Sequence, residues 1–239
     1  MQAATFQFAL RQTPVLLRGD MAEVKQWIGR WEWRRTLAWT LVIVAGSALY
    51  GAAMGWWRAP LQSAYTAVKF PLVILLTTLG NALLNFMLAP LLGVNFSFRQ
   101  SLLAVWMSFA IAAAVLAGFA PLLFFIVWNT PAFDTAQGTA WLAYRFMQLA
   151  VVAGIAYAGV MANLRLLPLL RAHAAGNGAA LRVLFAWLAG NLLLGSQICW
   201  VLRPFIGRPQ DEVEFLGPVP FMGSLYETVF EAARELLLR

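Results

Sequence analysis

Thr78, Asn81 and Asn85 are the residues whose type and spacing most suggest a function inside a membrane. They follow one another at helical intervals within an apolar stretch, so they share one face of a helix. Their side chains are neutral, which suits hydrogen bonding between helices or a path for a neutral or lipidic substrate. Further neutral polar residues occur in later apolar stretches: Asn163, Asn191 and Gln197.

Groups for acid–base or metal chemistry are missing from these stretches. All 10 acidic residues lie outside them, whereas proton-coupled transporters keep an ionisable group in the membrane interior. The one histidine, His173, lies in a predicted loop, and the one cysteine, Cys199, permits neither a disulfide nor a Cys/His metal cluster. The sequence therefore predicts a protein with no enzymatic activity and no cofactor.

The elements that position these residues follow from composition. The chain of 239 residues is 62% hydrophobic and 11% charged, whereas soluble domains carry about 25% charged residues. Runs of about 20 apolar residues are typical of spanning helices. The sequence predicts an all-α polytopic membrane bundle of five transmembrane helices, at 36–56, 70–92, 102–128, 144–167 and 183–202. The bundle would occupy 36–206, with membrane lipids as its surroundings.

The N-terminal segment, 1–35, is predicted to be cytoplasmic and interfacial: 1–19 are loosely ordered, and an amphipathic helix from Asp20 continues into the first span. Asp20 and Glu23 have the spacing of a capping box. An apolar face follows at helical spacing, and such a helix lies in the headgroup region. That face consists of Met21, Val24, Trp27, Ile28 and Trp31.

The C-terminal segment, 207–239, is predicted to be a loop followed by an amphipathic helix. Ser224 and Glu227 again have capping-box spacing, and the polar face is acidic rather than basic. A basic face would suit anionic lipid, so this helix is predicted to dock on its own bundle or on a partner. The candidate docking residues are Tyr226, Val229, Phe230, Ala233, Leu236 and Leu237.

The distribution of basic residues indicates the orientation. Ten of the 17 Lys and Arg residues fall on the side of the N-terminus, and the rest, with Lys69 counted in the loop before the second span, on the other. Cytoplasmic loops are enriched in these residues. The sequence therefore predicts a bacterial inner-membrane protein with a cytoplasmic N-terminus and an extracytoplasmic C-terminus. The net charge of +7 is explained in the same way, without a nucleic-acid partner.

Small and aromatic residues predict how the helices pack. Three stripes of small residues would let backbones approach closely: Ser47, Gly51 and Gly55; Ala110, Ala114 and Gly118; Ala150, Gly154, Ala158 and Ala162. Six tryptophans near span ends are expected to form the interfacial belt: Trp39, Trp56, Trp57, Trp128, Trp141 and Trp200. Four prolines are expected at or near span ends: Pro71, Pro90, Pro121 and Pro168.

Arg203 ends the last span directly before Pro204. Its side chain has two alternatives. It can reach the headgroups while its stem stays in the apolar layer, or it can pair with Glu212 or Glu214 and anchor the following loop.

A stretch from the second span into the third, "PLVILLTTLGNALLNFMLAPLLGVNFSFRQSLLAV", and the later "GVMANLRLLPLLRAHAAGNGAALRVLFAWLAG" resemble bacterial members of the Yip (Ypt/Rab-interacting protein) membrane family. The resemblance covers about 68–194. It implies a five-span bundle with a cytoplasmic N-terminus. Family members elsewhere are trafficking scaffolds without enzymatic activity.

Two functional hypotheses follow from the sequence. The leading one is a non-enzymatic inner-membrane subunit or scaffold of a larger complex, which binds partner subunits or a second copy of itself through its amphipathic termini. The alternative is a small homo-oligomeric channel or carrier for a neutral or lipidic substrate, based on the polar face of the second span.

Overall fold

The protein is an all-α bundle in a computed structural model that describes residues 14, 26–131, 139–174, 176–203, 212–216 and 224–237. Six long helices occur in these ranges: α1 (Trp33–Trp56), α2 (Pro60–Leu91), α3 (Phe98–Asn129), α4 (Thr139–His173), α5 (Asn177–Leu202) and α6 (Leu225–Leu237). The first five are long and apolar enough to cross a membrane. The prediction of an all-α, five-span polytopic bundle is therefore confirmed.

Local signals explain several helix boundaries. Pro60 occupies the first turn of α2, where its missing N–H is not needed. A complete capping box starts α3: the Gln100 N–H donates to Ser97 Oγ, and the Ser97 N–H donates to Gln100 Oε1. At the end of α5, Arg203 adopts a left-handed conformation with φ of 43°, and its N–H donates to the Cys199 carbonyl at 2.8 Å.

The helices are longer than the predicted spans. The helix α2 starts ten residues before the predicted boundary at Phe70, and so includes Lys69, which the sequence assigned to a loop. The prediction that the four prolines lie at or near helix ends is wrong for two of them: Pro71 and Pro121 lie well inside α2 and α3. Such prolines are tolerated in membrane helices because neighbouring groups satisfy the freed carbonyls.

Contacts between the helices define a ring with an added helix. The ring consists of α2, α3, α4 and α5, each packed on the next, and α1 packs on α2 and α3. Half (50%) of the residues in the most apolar 18-residue stretch of α1 are buried, whereas the share is 28% in the corresponding stretches of α4 and α5. The outer faces of α4 and α5 are therefore the open side of the bundle, and α6 packs there on both helices.

The small-residue stripe of α1 lies at a helix contact, as predicted. A Cβ added at Gly51 would lie 2.5 Å from the Thr66 carbonyl oxygen, and Gly55 is as close to α2. The stripe of α4 contributes Gly154, which faces the Tyr50 hydroxyl. The predicted α3 stripe is wrong at Gly118, which is exposed and has nothing within 4 Å of an added Cβ.

Two of the predicted belt tryptophans belong to the core instead. Trp39 is 1% exposed and Trp57 is 8% exposed. Trp39 contacts Trp27 with ring centroids 6.3 Å apart, and the Trp57 Nε1–H donates to the Pro131 carbonyl. Trp56, Trp128 and Trp141 are exposed, as a belt requires.

The N-terminal segment differs from its prediction in the part that is described. Residues 26–29 form a helical turn that stops at 30–32, so no continuous helix enters α1. Trp27 and Ile28 are buried against the bundle rather than directed to lipid, and Arg35 lies over the Trp27 ring at 4.9 Å. Asp20, Met21, Glu23 and Val24 lie outside the described residues.

Candidate functional site

The polar face of α2 is buried in the bundle. Thr78 and Asn81 are each 0% exposed, and Asn85 is 1% exposed. The helix buries them because the same turns carry small or apolar residues that pack on neighbouring helices. Buried amides in an apolar layer require hydrogen-bonding partners, so their partners decide what this face does.

One hydrogen bond joins this face to α5. Asn81 Nδ2 donates to Asn191 Oδ1, which places the two amides opposite one another across the helix contact. Gly190 makes room for them, because a Cβ added there would lie 3.3 Å from Asn81 Oδ1. The sequence predicted both asparagines as members of a polar network, and the structure brings this pair together.

The other predicted members are not brought into a network with this pair. The Thr78 hydroxyl donates to the Ile74 carbonyl of its own helix at 2.7 Å. On α4, Asn163 Nδ2 donates to the Gly159 carbonyl at 2.8 Å, also within one helix. Gln197 is exposed on α5. Of the six predicted residues, Asn81 and Asn191 form a hydrogen bond between helices, and the six do not form one continuous chain.

Thr77 lies at the same contact of α2 with α5, although it was not among the predicted site residues. It is 3% exposed and lies against Gly195 of α5. Three buried oxygen atoms of α2 have no hydrogen-bond donor within reach: Thr77 Oγ1, Asn81 Oδ1 and Asn85 Oδ1. They are four residues apart, so they follow one ridge of the helix. The sequence does contain a signal for Thr77, because Thr77, Asn81 and Asn85 follow one another at intervals of four residues, which is a helical spacing.

We call Thr77, Asn81 and Asn85 of α2, together with Asn191 of α5, the α2–α5 seam. All its side chains are neutral, so it offers acceptor oxygens but no group that titrates near neutral pH. It can accept hydrogen bonds from water, a hydroxyl or an amide. Among the residues that the structure describes, no three His, Cys, Asp or Glu side chains are grouped to hold a metal ion.

The C-terminal helix α6 is attached to the bundle at two points. Arg145 of α4 forms a bidentate ion pair with Glu235, with Nε–Oε2 at 3.0 Å and Nη2–Oε1 at 3.2 Å. The Tyr226 hydroxyl donates to the Leu192 carbonyl of α5 at 3.0 Å. The predicted cap is present, because the Glu227 N–H donates to Ser224 Oγ at 3.2 Å.

The predicted docking residues are divided between the face that α6 presents to the bundle and its outer face. Ala232 is fully buried, and Val229 and Ala233 are partly buried. Phe230 is 68% exposed and is directed outward, whereas Tyr226 is 48% exposed and its hydroxyl is bonded to α5. The side chains of Leu236 and Leu237 lie outside the described residues. The described part of α6 thus docks through Ala232, with Val229 and Ala233 partly buried, and leaves Phe230 outside.

The predicted anchor at Arg203 has a different contact. The Arg203 guanidinium lies over the Trp200 ring at 5.0 Å from its centroid. The pairing of Arg203 with Glu212 or Glu214 stays a prediction. Both glutamates are exposed.

Two basic residues, Arg145 and Lys69, were not predicted as site residues. Arg145 was counted only for orientation, but it holds α6. Lys69 was counted as a loop residue, but it is 2% exposed within α2. Its sequence signal is weak, because Lys69 directly precedes the apolar run that predicted the second span and was therefore placed in the loop before it.

No known protein family, no curated protein and no solved structure matches this chain in the comparisons made with each.

Proposed function

We propose that this multi-pass membrane protein is a non-enzymatic subunit or scaffold of a larger complex, and that α6 is its docking element. One observation carries the proposal: α6 is fixed to α4 and α5 while its aromatic residue Phe230 is directed away from them. A helix that served only to cover the bundle would turn its large apolar side chains inward.

The outer face of α6 has the composition of a protein contact. Aromatic residues are enriched at the energetic centres of interfaces, where they fill pockets on the partner. Glu227 and Glu231 are exposed on the same helix and add negative charge near Phe230. A partner with an apolar pocket bordered by Lys or Arg would complement this face. A second copy of this chain is a less suitable partner because its own α6 repeats the negative charge.

The non-enzymatic part of the proposal rests on residue types. The chain has one His and one Cys. The described carboxylates lie outside the five spans, and those of α6 serve attachment or are exposed. The resemblance to the Yip family points in the same direction and remains a prediction.

Purification from native membranes tests the proposal. The tagged wild type is expected to retain a partner through mild detergent extraction, and Phe230→Ala to lose at least 90% of it. Phe125→Ala is the matched control, because Phe125 is 66% exposed on α3, close to the 68% of Phe230. A wild type that elutes as a lone monomer, or equal partner recovery in both variants, would contradict the proposal.

The proposed location is the bacterial inner membrane, with a cytoplasmic N-terminus. Basic residues at the ends where α1 begins, α3 begins and α4 ends support this orientation: Arg30, Arg34, Arg35, Arg99 and Arg171. In a Cys199→Ala background, an impermeant maleimide is expected to label Glu214→Cys in intact spheroplasts. Asn177→Cys should react only after permeabilisation, and the reverse pattern would invert the topology.

A channel or carrier for a neutral or lipidic substrate is the second candidate. The observation that favours it is the row of buried oxygen atoms on Thr77, Asn81 and Asn85 without donors. If this row conducts a polar solute, replacing Asn81 and Asn85 by Leu should abolish flux into liposomes. Unchanged flux, or none with the wild type, would reject this candidate.

A further inference from the structure

The helices α2 and α5 run antiparallel with a register that two contacts define. Asn81 Nδ2 donates to Asn191 Oδ1, and a Cβ added at Gly93, just after α2, would lie 3.5 Å from the Ala179 Cβ. The two contacts are 12 residues apart on each segment, so the register is the same at both. Residues between them that are equally far from the bonded amides therefore lie opposite one another.

Asn85 and Trp187 are such a pair, because each lies four residues from a bonded amide. Both side chains are 1% exposed. Within the described part of the chain, neither Asn85 Oδ1 nor the Trp187 Nε1–H has a hydrogen-bonding partner, and Asn81 Oδ1, one turn away on the same face, has none either. This level of the contact therefore combines one buried donor with two buried acceptors.

These three groups match the hydrogen-bonding capacity of a water molecule. A buried polar group without a partner loses its hydration and gains nothing in return, and a buried indole N–H is usually bonded. A water oxygen can accept from the Trp187 Nε1–H, while its two hydrogens are donated to Asn81 Oδ1 and Asn85 Oδ1. Buried waters typically make about three hydrogen bonds, to groups that would otherwise be unsatisfied.

Gly190 provides room for a molecule of this size. Apart from the backbone of its own helix, one described atom lies within 4 Å of a Cβ added there, and it is Asn81 Oδ1 at 3.3 Å. Gly190 lies three residues after Trp187, so both are on the same side of α5. A water oxygen beside Gly190 would therefore lie between the Asn81 amide and the indole.

The loop between α2 and α3 covers this position at the end of the two helices. Phe96 is 4% exposed, and its ring centroid lies 6.1 Å from that of Trp187. Val94 is 0% exposed and pairs with Ala174, just after α4, in an isolated bridge. Asn85 lies ~9 Å along the axis from the end of α2. The cover favours a small ligand that is retained over a lipid that enters from the bilayer.

We propose that Trp187, Asn81 and Asn85 bind one ordered water molecule, which links α2 to α5 within the membrane-spanning part of the bundle. The inference goes beyond the docking role of α6 and does not depend on it. It also differs from the channel candidate, because a retained water satisfies the buried oxygen atoms without any flux.

Nuclear magnetic resonance of the full-length protein, with isotope-labelled tryptophan in phosphatidylcholine nanodiscs, tests the site. The wild type is expected to give a cross-peak between the Trp187 indole proton and water, with the sign of a dipolar contact rather than that of chemical exchange. Trp187→Phe identifies the indole signal by removing it. Asn85→Leu should abolish the cross-peak, because an apolar side chain of similar size replaces one acceptor of the water.

Thr77→Val is the matched control. Thr77 is also buried on α2 with an unpartnered hydroxyl, but it lies two turns away from Asn85. This variant should keep the full cross-peak, which would also show that the signal is not relayed by the Thr77 hydroxyl. Loss of the cross-peak in Thr77→Val would overturn the assignment to Asn85.

Further readouts separate the alternatives. Helical circular dichroism of Asn85→Leu should match the wild type, and if it does not, Gly190→Ala takes its place, because it fills the space beside Asn81 Oδ1 and removes no polar group. A cross-peak that survives in the folded variant would overturn the site. A wild-type indole without a water contact would also overturn it. A cross-peak to carbon-bound protons of a retained molecule would assign the site to a larger hydroxyl compound and overturn the water assignment.

Discussion

Asn81 and Asn191 are the residues that fix the contact of α2 with α5. Their amides are bonded to each other from positions far apart in the chain. Interhelical bonds of this kind contribute about 1 kcal/mol in membranes, because the unfolded helices also find partners in the bilayer. The pair therefore selects the register of the two helices more than it determines overall stability.

A double-mutant cycle checks this pair. Asn81→Leu and Asn191→Leu are each expected to lower the free energy of unfolding by about 1–2 kcal/mol, since each leaves a buried amide without its partner. The double variant should cost little more than one single variant, with a coupling energy of about 1 kcal/mol. Steric trapping in bicelles measures these values. Gln197→Leu, at an exposed position of α5, should be neutral; simple additivity would show that the amides do not interact.

At the scale of the helices, the contact of α1 with α2 depends on a close approach of the two backbones. Gly51 lies against the Thr66 carbonyl, and the Thr66 hydroxyl donates to the Gly51 carbonyl at 2.6 Å. The two helices are thus held at a separation that leaves no space for a methyl group. Glycine is required here for its size.

Gly51→Ala is therefore expected to destabilise the bundle by about 1–3 kcal/mol, because an added Cβ would meet backbone that must shift. Gly118→Ala is the matched control: nothing lies within 4 Å of its added Cβ, and removing a helical glycine should raise stability by up to about 1 kcal/mol. Thermal unfolding in detergent measures both. Equal effects of the two substitutions would mean that α1 and α2 are not packed in this way.

The attachment of α6 rests on an ion pair at a partly exposed position. Arg145 is 14% exposed and Glu235 is 45% exposed, so screening limits the pair to about 0.2–1 kcal/mol. Arg145→Glu and Glu235→Arg should each increase the rate of limited proteolysis within α6 by up to about 5-fold, because the helix detaches more often. The combined charge exchange should restore the wild-type rate. Without such restoration, the pair does not hold α6.

At the scale of the whole molecule, hydropathy predicted the number and order of the spanning helices. A run of about 20 apolar residues must satisfy its backbone hydrogen bonds internally, so it has few alternatives to a helix. The ends were harder to predict, because hydropathy falls where a helix leaves the hydrocarbon layer while its hydrogen bonds continue. For this reason Lys69 was predicted to lie in a loop and is buried in α2.

The residue that a side chain contacts was harder to predict than the helix face on which it lies. Periodicity placed Asn81 on a buried face, but nothing in the local sequence specifies that Asn191 would meet it. Likewise the spacing of Gly51 and Gly118 is similar, and only the arrangement of the helices decides that one meets α2 and the other nothing. The outward direction of Phe230 depends on how α6 sits on α4 and α5, which the amphipathic pattern leaves open.

Photo-crosslinking from α6 in native membranes is the most direct test of the docking role. A photoreactive amino acid in place of Phe230 should give a discrete adduct with another protein, and the same group in place of Phe125 on α3 should give lipid adducts alone. Protein adducts that are absent from Phe230, or equally strong from Phe125, would contradict the proposal that α6 is where this membrane protein binds its partner.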